Sequence, residues 1–380
     1  MTLADRLLAR ISRPVGRLPE YVAPRCLRRR FLRSTCDLCA RECPVQALYP
    51  GESVVRLDSE RCTGCLACTA VCPSEALVAR DPRQARVAER VFARSGEGSA
   101  VICCEKALRD GTELLLPCLG ILSREELALF ALLAGSVTLV LHPCRECHSP
   151  RVPELLQRRV DQLAELWEQG RGARGDQPAA PPRIELRFTA APPAPAQADS
   201  GRGAAPSSAQ SSPRDRRDFF RAFKTLSLQA AAETWGAFRE EPVRPEEQWA
   251  SSKYLPARLL LLRQAWQRLE AEPERRALLL PLISIIEVGS ACTGCEACVG
   301  LCPSGALSGD RDDPDPVGRL LFDWSRCSGC GLCGEFCPAR AITLRRAADL
   351  AEIGEKPREI FRPPAGDPTA ANNGSPRRHS

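Results

Sequence analysis

Four copies of one cysteine spacing, one of them incomplete, constrain this chain more than anything else in it. Cys62, Cys65, Cys68 and Cys72-Pro73 write C-x2-C-x2-C-x3-C-P, as do Cys292, Cys295, Cys298, Cys302-Pro303 and Cys327, Cys330, Cys333, Cys337-Pro338. The fourth copy, Cys36, Cys39, Cys43-Pro44, carries Arg33 where a leading cysteine would stand. These motifs take 15 of the 21 cysteines. Thiols three residues apart converge on a metal more readily than they bridge each other, so the spacing points to metal ligation in a reducing compartment and away from a disulfide framework. Zinc also accepts C-x2-C pairs, but it needs neither three cysteines in quick succession nor the trailing Cys-Pro. The spacing is that of a [4Fe–4S] cubane.

The motifs resemble those of bacterial dicluster ferredoxins, in which three cysteines of one loop hold one cubane and the cysteine before proline reaches to the neighbouring one. By that rule the C-terminal pair reads as Cys292, Cys295, Cys298 and Cys337 on one cluster, and Cys327, Cys330, Cys333 and Cys302 on the other. Gly294 and Gly329 let the loop backbone turn close to sulfide, where amide N–H groups offset negative charge. At the N-terminal pair, Cys62, Cys65, Cys68 and Cys43 form one complete set. Cys36, Cys39 and Cys72 lack a fourth member: Cys26 completes the set, a three-iron cluster forms, or the site is empty. Three surviving ligands argue against the last, and the basic stretch after Cys26 can loop back to bring it in. Gly329-Cys330-Gly331-Leu332-Cys333-Gly334 also satisfies G-x-G-x-x-G, but no strand precedes it and cysteines fill the gaps, so it is no nucleotide loop.

The formal charge of +6 counts these thiols as neutral. An oxidised four-thiolate cubane carries about −2, so four would bring the loaded chain to about −2 and remove the electrostatic case for nucleic acid. Arg28-Arg29-Arg30-Phe31-Leu32-Arg33 imitates a twin-arginine export motif, yet no apolar core follows it. No apolar run is long enough to cross a bilayer. The expected location is the cytoplasm.

The chain divides by composition into seven parts. Residues 1–35 are a basic segment, and 36–82 a ferredoxin-like unit with the degenerate first motif. Residues 99–190 alternate strand and helix, which predicts a small α/β domain with a parallel sheet. Its strands are expected at Ala100-Val101-Ile102, Leu114–Leu116, Val137–Leu141 and Ile184–Phe188. A helix opens at Ser123 with a capping box and runs to about Ala134. Residues 191–214, rich in Pro, Ala, Ser and Gly, read as a disordered linker, and 215–281 as a helical segment. Within it, Arg214 to Lys224 make a basic amphipathic stretch suited to a membrane surface or to packing on its own protein. Residues 282–350 are the dicluster unit and 351–380 a disordered tail. The fold class is thus α+β ferredoxin-like units at both ends of a central α/β domain, with the second unit on a flexible tether.

Cys103, Cys104, Cys118, Cys144 and Cys147 fall at the carboxyl ends of the predicted strands, the edge where parallel sheets place ligands. Cys103-Cys104, Leu116-Pro117-Cys118-Leu119-Gly120, Gly135, and Leu141-His142-Pro143-Cys144-Arg145-Glu146-Cys147-His148 resemble the delta subunit of methyl-viologen-reducing hydrogenase. That resemblance implies an iron–sulfur cluster, [2Fe–2S] in type, relaying electrons between a hydrogenase-like or formate-oxidising module and a flavin-containing partner. The chain departs from the family where Glu105, Lys106 and Ala107 stand in place of a further cysteine, and Cys144 and Cys147 lie closer together. The Cys103-Cys104 pair and Cys144-x-x-Cys147 also resemble the module of heterodisulfide reductase catalytic subunits, which implies thiol–disulfide chemistry; Glu105 replaces its glycine. Buried thiols without metal are the plain alternative. His142 and His148 flank these thiols, whose number already suffices as ligands; His148 reads as an outer neighbour of the site or as a solvated side chain.

The expected function is a polyferredoxin with three to four [4Fe–4S] clusters, and a further cluster in the middle, that makes no bonds of its own. Its expected partners are a hydrogenase, a formate dehydrogenase or a flavin oxidoreductase, with peripheral membrane contact open. The rival readings are the heterodisulfide-type enzyme subunit and an accessory factor for metalloenzyme maturation.

Overall fold

The computed structural model describes residues 18–93, 98–107, 113–141, 144, 147, 149–172, 180–188, 253–309 and 319–362. The expected linker, the basic amphipathic stretch at 214–224, and His142 and His148 lie outside these residues. Everything described belongs to one compact unit, built of both halves of the chain.

In the N-terminal part, strand β1 (Glu20–Tyr21) precedes helices α1 (Leu27–Arg30) and α2 (Leu38–Glu42), strands β2 (Leu48–Pro50) and β3 (Val55–Leu57), helix α3 (Ala67–Val71) and strand β4 (Leu77–Val78). β2 pairs antiparallel with β3, and β1 with β4. Each cysteine loop therefore runs into a single helical turn and then a strand. The repeat of Pro-x-x-Ala-Leu at Pro44–Leu48 and Pro73–Leu77 anticipates this duplication.

Helix α4 (Pro82–Ala93) leads into the α/β domain: β5 (Ser99–Cys104), β6 (Leu114–Leu116), α5 (Arg124–Ala134), β7 (Ser136–Leu141), α6 (Val152–Gly172) and β8 (Arg183–Phe188). The sheet order is β6-β5-β7-β8, parallel throughout. The capping box at α5 forms as the sequence predicts. The Ser123 hydroxyl accepts from the Glu126 N–H at 3.1 Å, while Glu126 accepts from the Ser123 N–H at 2.9 Å and from Gln84 at 2.7 Å.

From Leu127 to Ala134 every residue of α5 is apolar and buried. A helix apolar on all sides has to be covered on all sides. The sheet covers one flank, and α4 and α6 pack against it. The remaining cover comes from α7 (Ala257–Arg268), which lies beyond the interruption in the described residues. Leu259, Leu262, Trp266 and Leu269, read from sequence as one helix face, are all buried. The following α8 (Pro273–Ala277) adds an Arg275 bond to the Leu132 carbonyl, and the buried Trp167 indole N–H donates to Leu278 at 3.0 Å.

The C-terminal part repeats the duplicated plan with β9 (Ser284–Val288), α9 (Ala297–Leu301), β10 (Leu307–Gly309), β11 (Leu320–Phe322), α10 (Leu332–Phe336), β12 (Ile342–Arg346) and β13 (Arg358–Phe361). β9 pairs with β12, and β11 lies between β10 and β13.

Two expectations are corrected. The tail is not structureless from 351: Arg358–Phe361 adds a third strand beside β11, and the Trp324 indole donates to Gly354 at 2.8 Å. Ile360 and Phe361 supply the apolar contact that a polar tail would lack. Nor is the second ferredoxin-like part free to change its distance from the first. Its helices share one buried core with the α/β domain. The edge-to-face pair Phe31–Phe336, at 5.1 Å and 88°, and the Thr35 N–H donating to Glu335 at 2.5 Å fasten it to the N-terminal part.

Replacing the cap, Ser123→Ala, removes one of the donors to buried Glu126 and is expected to cost about 1–2 kcal/mol. It should be read as a lower denaturation midpoint by far-UV circular dichroism; an unchanged midpoint would show that the cap carries no stability here.

Candidate metal centres

The cysteine loops share a backbone design that explains their residue types. Gly64, Gly294 and Gly329, each second after the leading cysteine, have φ of 68°, 69° and 65°. At Gly329 the turn favours glycine, and a Cβ would stand 2.5 Å from the Ser284 hydroxyl oxygen, which would have to move aside. A second left-handed residue follows each Cys-Pro: Gln46 (φ 51°), Glu75 (48°), Gly305 (70°) and Arg340 (49°). That turn aims the next amide back at the sulfur. The N–H groups of Ala47, Ala76, Ala306 and Ala341 donate to Cys43, Cys72, Cys302 and Cys337 Sγ at 3.2, 3.1, 3.2 and 3.4 Å. An N–H donated to a ligating sulfur stabilises its negative charge and tunes the potential of the group it holds. The Pro-x-x-Ala repeat is visible in the sequence; its use is not.

The thiols gather in sets of four. Cys292, Cys295, Cys298 and Cys337 line one cavity of about 360 Å³. Cys43, Cys62, Cys65 and Cys68 line another of about 300 Å³. Both are the crossed sets that the ferredoxin spacing implies. Cys327, Cys330 and Cys333 stand close enough to Cys302 for each thiolate to disfavour the next.

A thiol from outside the incomplete motif lies beside its cysteines. Cys26, Cys36, Cys39 and Cys72 line one cavity of about 360 Å³ together with Tyr21, while Arg33 is exposed. Arg28 makes the return loop possible, donating to the Cys36 carbonyl at 2.5 Å and to Gly51 at 3.1 Å.

In the α/β domain Cys104, Cys118, Cys144 and Cys147 surround a cavity of about 490 Å³ that Lys106 and Ser149 also line. Cys103 stays apart, fully buried. Side chains alternate between the faces of a strand. Cys103 and Cys104 are consecutive on β5, so only one of them can face this site.

Burial dominates the electrostatics. It pushes Cys39, Cys298, Cys327 and Cys144 up to about 12 and Cys330 to about 11, with neighbouring thiols adding to the effect. Burial raises Cys68, Cys118 and Cys333 as well. Such thiols are protonated at neutral pH until a cationic centre displaces the protons. Among the described residues no three His, Cys, Asp or Glu side chains close on a single ion. A zinc tetrahedron, with Zn–S of about 2.3 Å, draws its sulfurs to a point; these sets instead ring a space. An all-thiol donor set around a cavity, with amides aimed at sulfur, fits an iron–sulfur cluster.

Known proteins resemble the two outer parts. A family described as a 4Fe-4S dicluster domain matches residues 33–76 and 291–341. Ferredoxin YfhL of Escherichia coli is 30% identical over 63 residues, covering 15% of this chain and 73% of that protein. Ferredoxin-3 of Chlorobaculum tepidum is 41% identical over 49 residues, covering 11% of this chain and 79% of its own length. The chain belongs to the 4Fe-4S dicluster ferredoxin family. Iron–sulfur electron transfer of the ferredoxin kind is therefore its function in outline. This ferredoxin chain is also 42% identical over 45 residues to a component of the ion-translocating oxidoreductase complex of Methanosarcina acetivorans, covering 12% of this chain and 17% of that protein's length. No solved structure matches the chain.

Gly120, two residues after Cys118, lies against the second cysteine loop: a Cβ there would come 2.5 Å from the Cys65 carbonyl oxygen. Because the obstacle is backbone, Gly120→Ala should overpack the contact at a cost of about 1–3 kcal/mol. A thermal midpoint equal to wild type would mean that the two loops do not meet.

Proposed function

We propose that the chain is a multi-cluster electron relay between redox enzymes, with no bond-making chemistry of its own. Four [4Fe–4S] clusters are assigned to Cys292, Cys295, Cys298 and Cys337; to Cys302, Cys327, Cys330 and Cys333; to Cys43, Cys62, Cys65 and Cys68; and to Cys26, Cys36, Cys39 and Cys72. A fifth iron–sulfur group, of the kind implied by the resemblance to the hydrogenase delta subunit, is assigned to Cys104, Cys118, Cys144 and Cys147. The observation that carries the reading is the shared cavity of Cys26, Cys36, Cys39 and Cys72. A defective motif that recruits a replacement thiol from another segment is a retained site.

When bound, such clusters supply one-electron chemistry over a wide range of potentials. The chain's own residues do the rest. The alanine amides stabilise sulfur charge, and the buried cysteines and apolar walls exclude water. The partners fit the same reading: a hydrogenase- or formate-dehydrogenase-like module on one side and a flavin protein on the other. A cytoplasmic location is proposed with it. Among the described residues no helix is long and apolar enough to cross a membrane.

Anaerobic purification with iron and sulfide counting tests the assignment: roughly sixteen irons for the four cubanes, with more if the middle set is loaded. Cys26→Ala should convert one four-iron signal into a three-iron signal by EPR. An unchanged four-iron spectrum would remove Cys26 from the ligands.

A further inference from the structure

We infer that the five thiol sets form one unbranched series, and that Tyr254 and Arg159 are the positioning residues that hold its two joints between structural parts. The order runs from the Cys292 set to the Cys302 set, then the Cys26, Cys43 and Cys104 sets. This rests on the assignment of clusters to those sets and adds their order, their ends and the residues that keep them adjacent.

Within each ferredoxin-like part, adjacency follows from exchange. Cys337 lines the Cys292 cavity although its own loop supplies the Cys302 set, and Cys72 lines the Cys26 cavity although its own loop supplies the Cys43 set. The joint between the two parts is built around Tyr254. Its N–H donates at 2.8 Å to the carbonyl of Pro303, the residue after Cys302, and its hydroxyl donates at 2.8 Å to Glu75, three residues after Cys72. The Arg25 guanidinium, one residue before Cys26, sits 3.4 Å above the Tyr254 ring. Lys253 Nζ donates to the Cys302 carbonyl at 3.0 Å. One short segment thus grips the Cys302 loop with one hand and the Cys26 and Cys72 loops with the other. Ser34 and Thr35, just before Cys36, close the same joint on Glu335.

The second joint links the Cys43 and Cys104 sets. Thr63 lines both cavities and accepts from the Ser149 hydroxyl at 2.9 Å. The buried Arg159 ties three loops together. It donates to the carbonyls of Gly120 and Leu122 at 2.9 and 2.6 Å, on the Cys118 side. It donates to Ala67 at 3.4 Å, next to Cys68, and pairs with Glu42 at 2.5 Å, next to Cys43. Among the described residues, those lining the middle cavity come from the N-terminal part and the α/β domain alone. The Cys104 set therefore stands at one end.

At the other end Cys295 is exposed. That exposure makes the Cys292 set the docking end for a one-electron carrier protein. Each transfer moves a single electron from a reduced set to its oxidised neighbour, with no bond made or broken. The external donor and acceptor are reduced and oxidised redox proteins at the two ends.

The test is magnetic. Anaerobically purified full-length protein is reduced with dithionite, and the coupling between reduced centres is measured by pulsed EPR. The double variant Cys36→Ala, Cys39→Ala, which loses about four irons, should take one coupling partner from the Cys302 set and one from the Cys43 set. The Cys292 and Cys104 sets should be untouched. Changed coupling at either end set, or unchanged coupling at both inner neighbours, overturns the order. Wild-type protein poised at successive potentials checks the same order without mutation, and direct coupling between the Cys292 and Cys104 sets would equally refute it. Tyr254→Phe keeps the ring and loses the bond to Glu75. With iron content equal to wild type it should weaken only the Cys302–Cys26 coupling, and Arg159→Ala only the Cys43–Cys104 coupling. A loss of stability with both couplings intact would leave these residues with a merely structural role. A wild-type protein with too few irons for four cubanes would instead defeat the cluster assignment itself, so the two failures are told apart.

Discussion

The buried helix Arg124–Ala134 governs this architecture. Once eight consecutive apolar residues are committed to a helix, one sheet face cannot cover them, because such a helix presents apolar surface in every direction. The sheet and the helices Pro82–Ala93 and Val152–Gly172 leave a flank to be filled, and Ala257–Arg268 fills it. That segment leads directly into the second ferredoxin-like part, so covering the core also docks the distant half of the chain. Hydrophobic burial, which is non-directional, brings the parts together. The directional contacts of Tyr254, Glu335 and Phe31 then set how they meet.

A second constraint acts on the thiols. Clustered buried sulfurs, several of them with thiol pKa values raised by burial, make a poor core unless something cationic replaces the protons. The fold answers with local charge stabilisation repeated four times: a left-handed residue after each Cys-Pro, then an alanine amide turned onto sulfur. Alanine suits that position because each of the four is buried. The buried Arg159 and Glu42 pair serves a different purpose. Its guanidinium donates to the carbonyls of Gly120 and Leu122 in one loop and of Ala67 in another, which keeps buried polar groups paired.

Much of the candidate site could be read from spacing. The crossed sets of Cys292 with Cys337 and Cys62 with Cys43 follow from motif grammar, as do the glycines with positive φ. In the α/β domain the strands, the capping box at Ser123 and the closing Gly135 were readable because each has a local cause: alternation, a side-chain acceptor, a backbone conformation. The division of labour between Cys103 and Cys104 was also implicit in their adjacency, since neighbours on a strand cannot face the same way. It became usable once the strand was known to run through both. The strand at Arg358–Phe361 was hidden, because its partner, Leu320–Phe322, lies nearly forty residues earlier and nothing local marks the pairing.

The amino-acid order by itself determined which atoms could hold metal and how each loop would turn, because ligand spacing and backbone preference act over a few residues. It left open whether Cys26 comes to lie beside Cys36, Cys39 and Cys72, and whether the two ferredoxin-like parts pack on one core. Those were decided by the tertiary structure alone. Both depend on contacts between segments far apart in the chain, where Tyr254 meets Glu75 and Cys26 lines one cavity with Cys72, and such contacts form only after burial of the shared core has brought their backbones within reach.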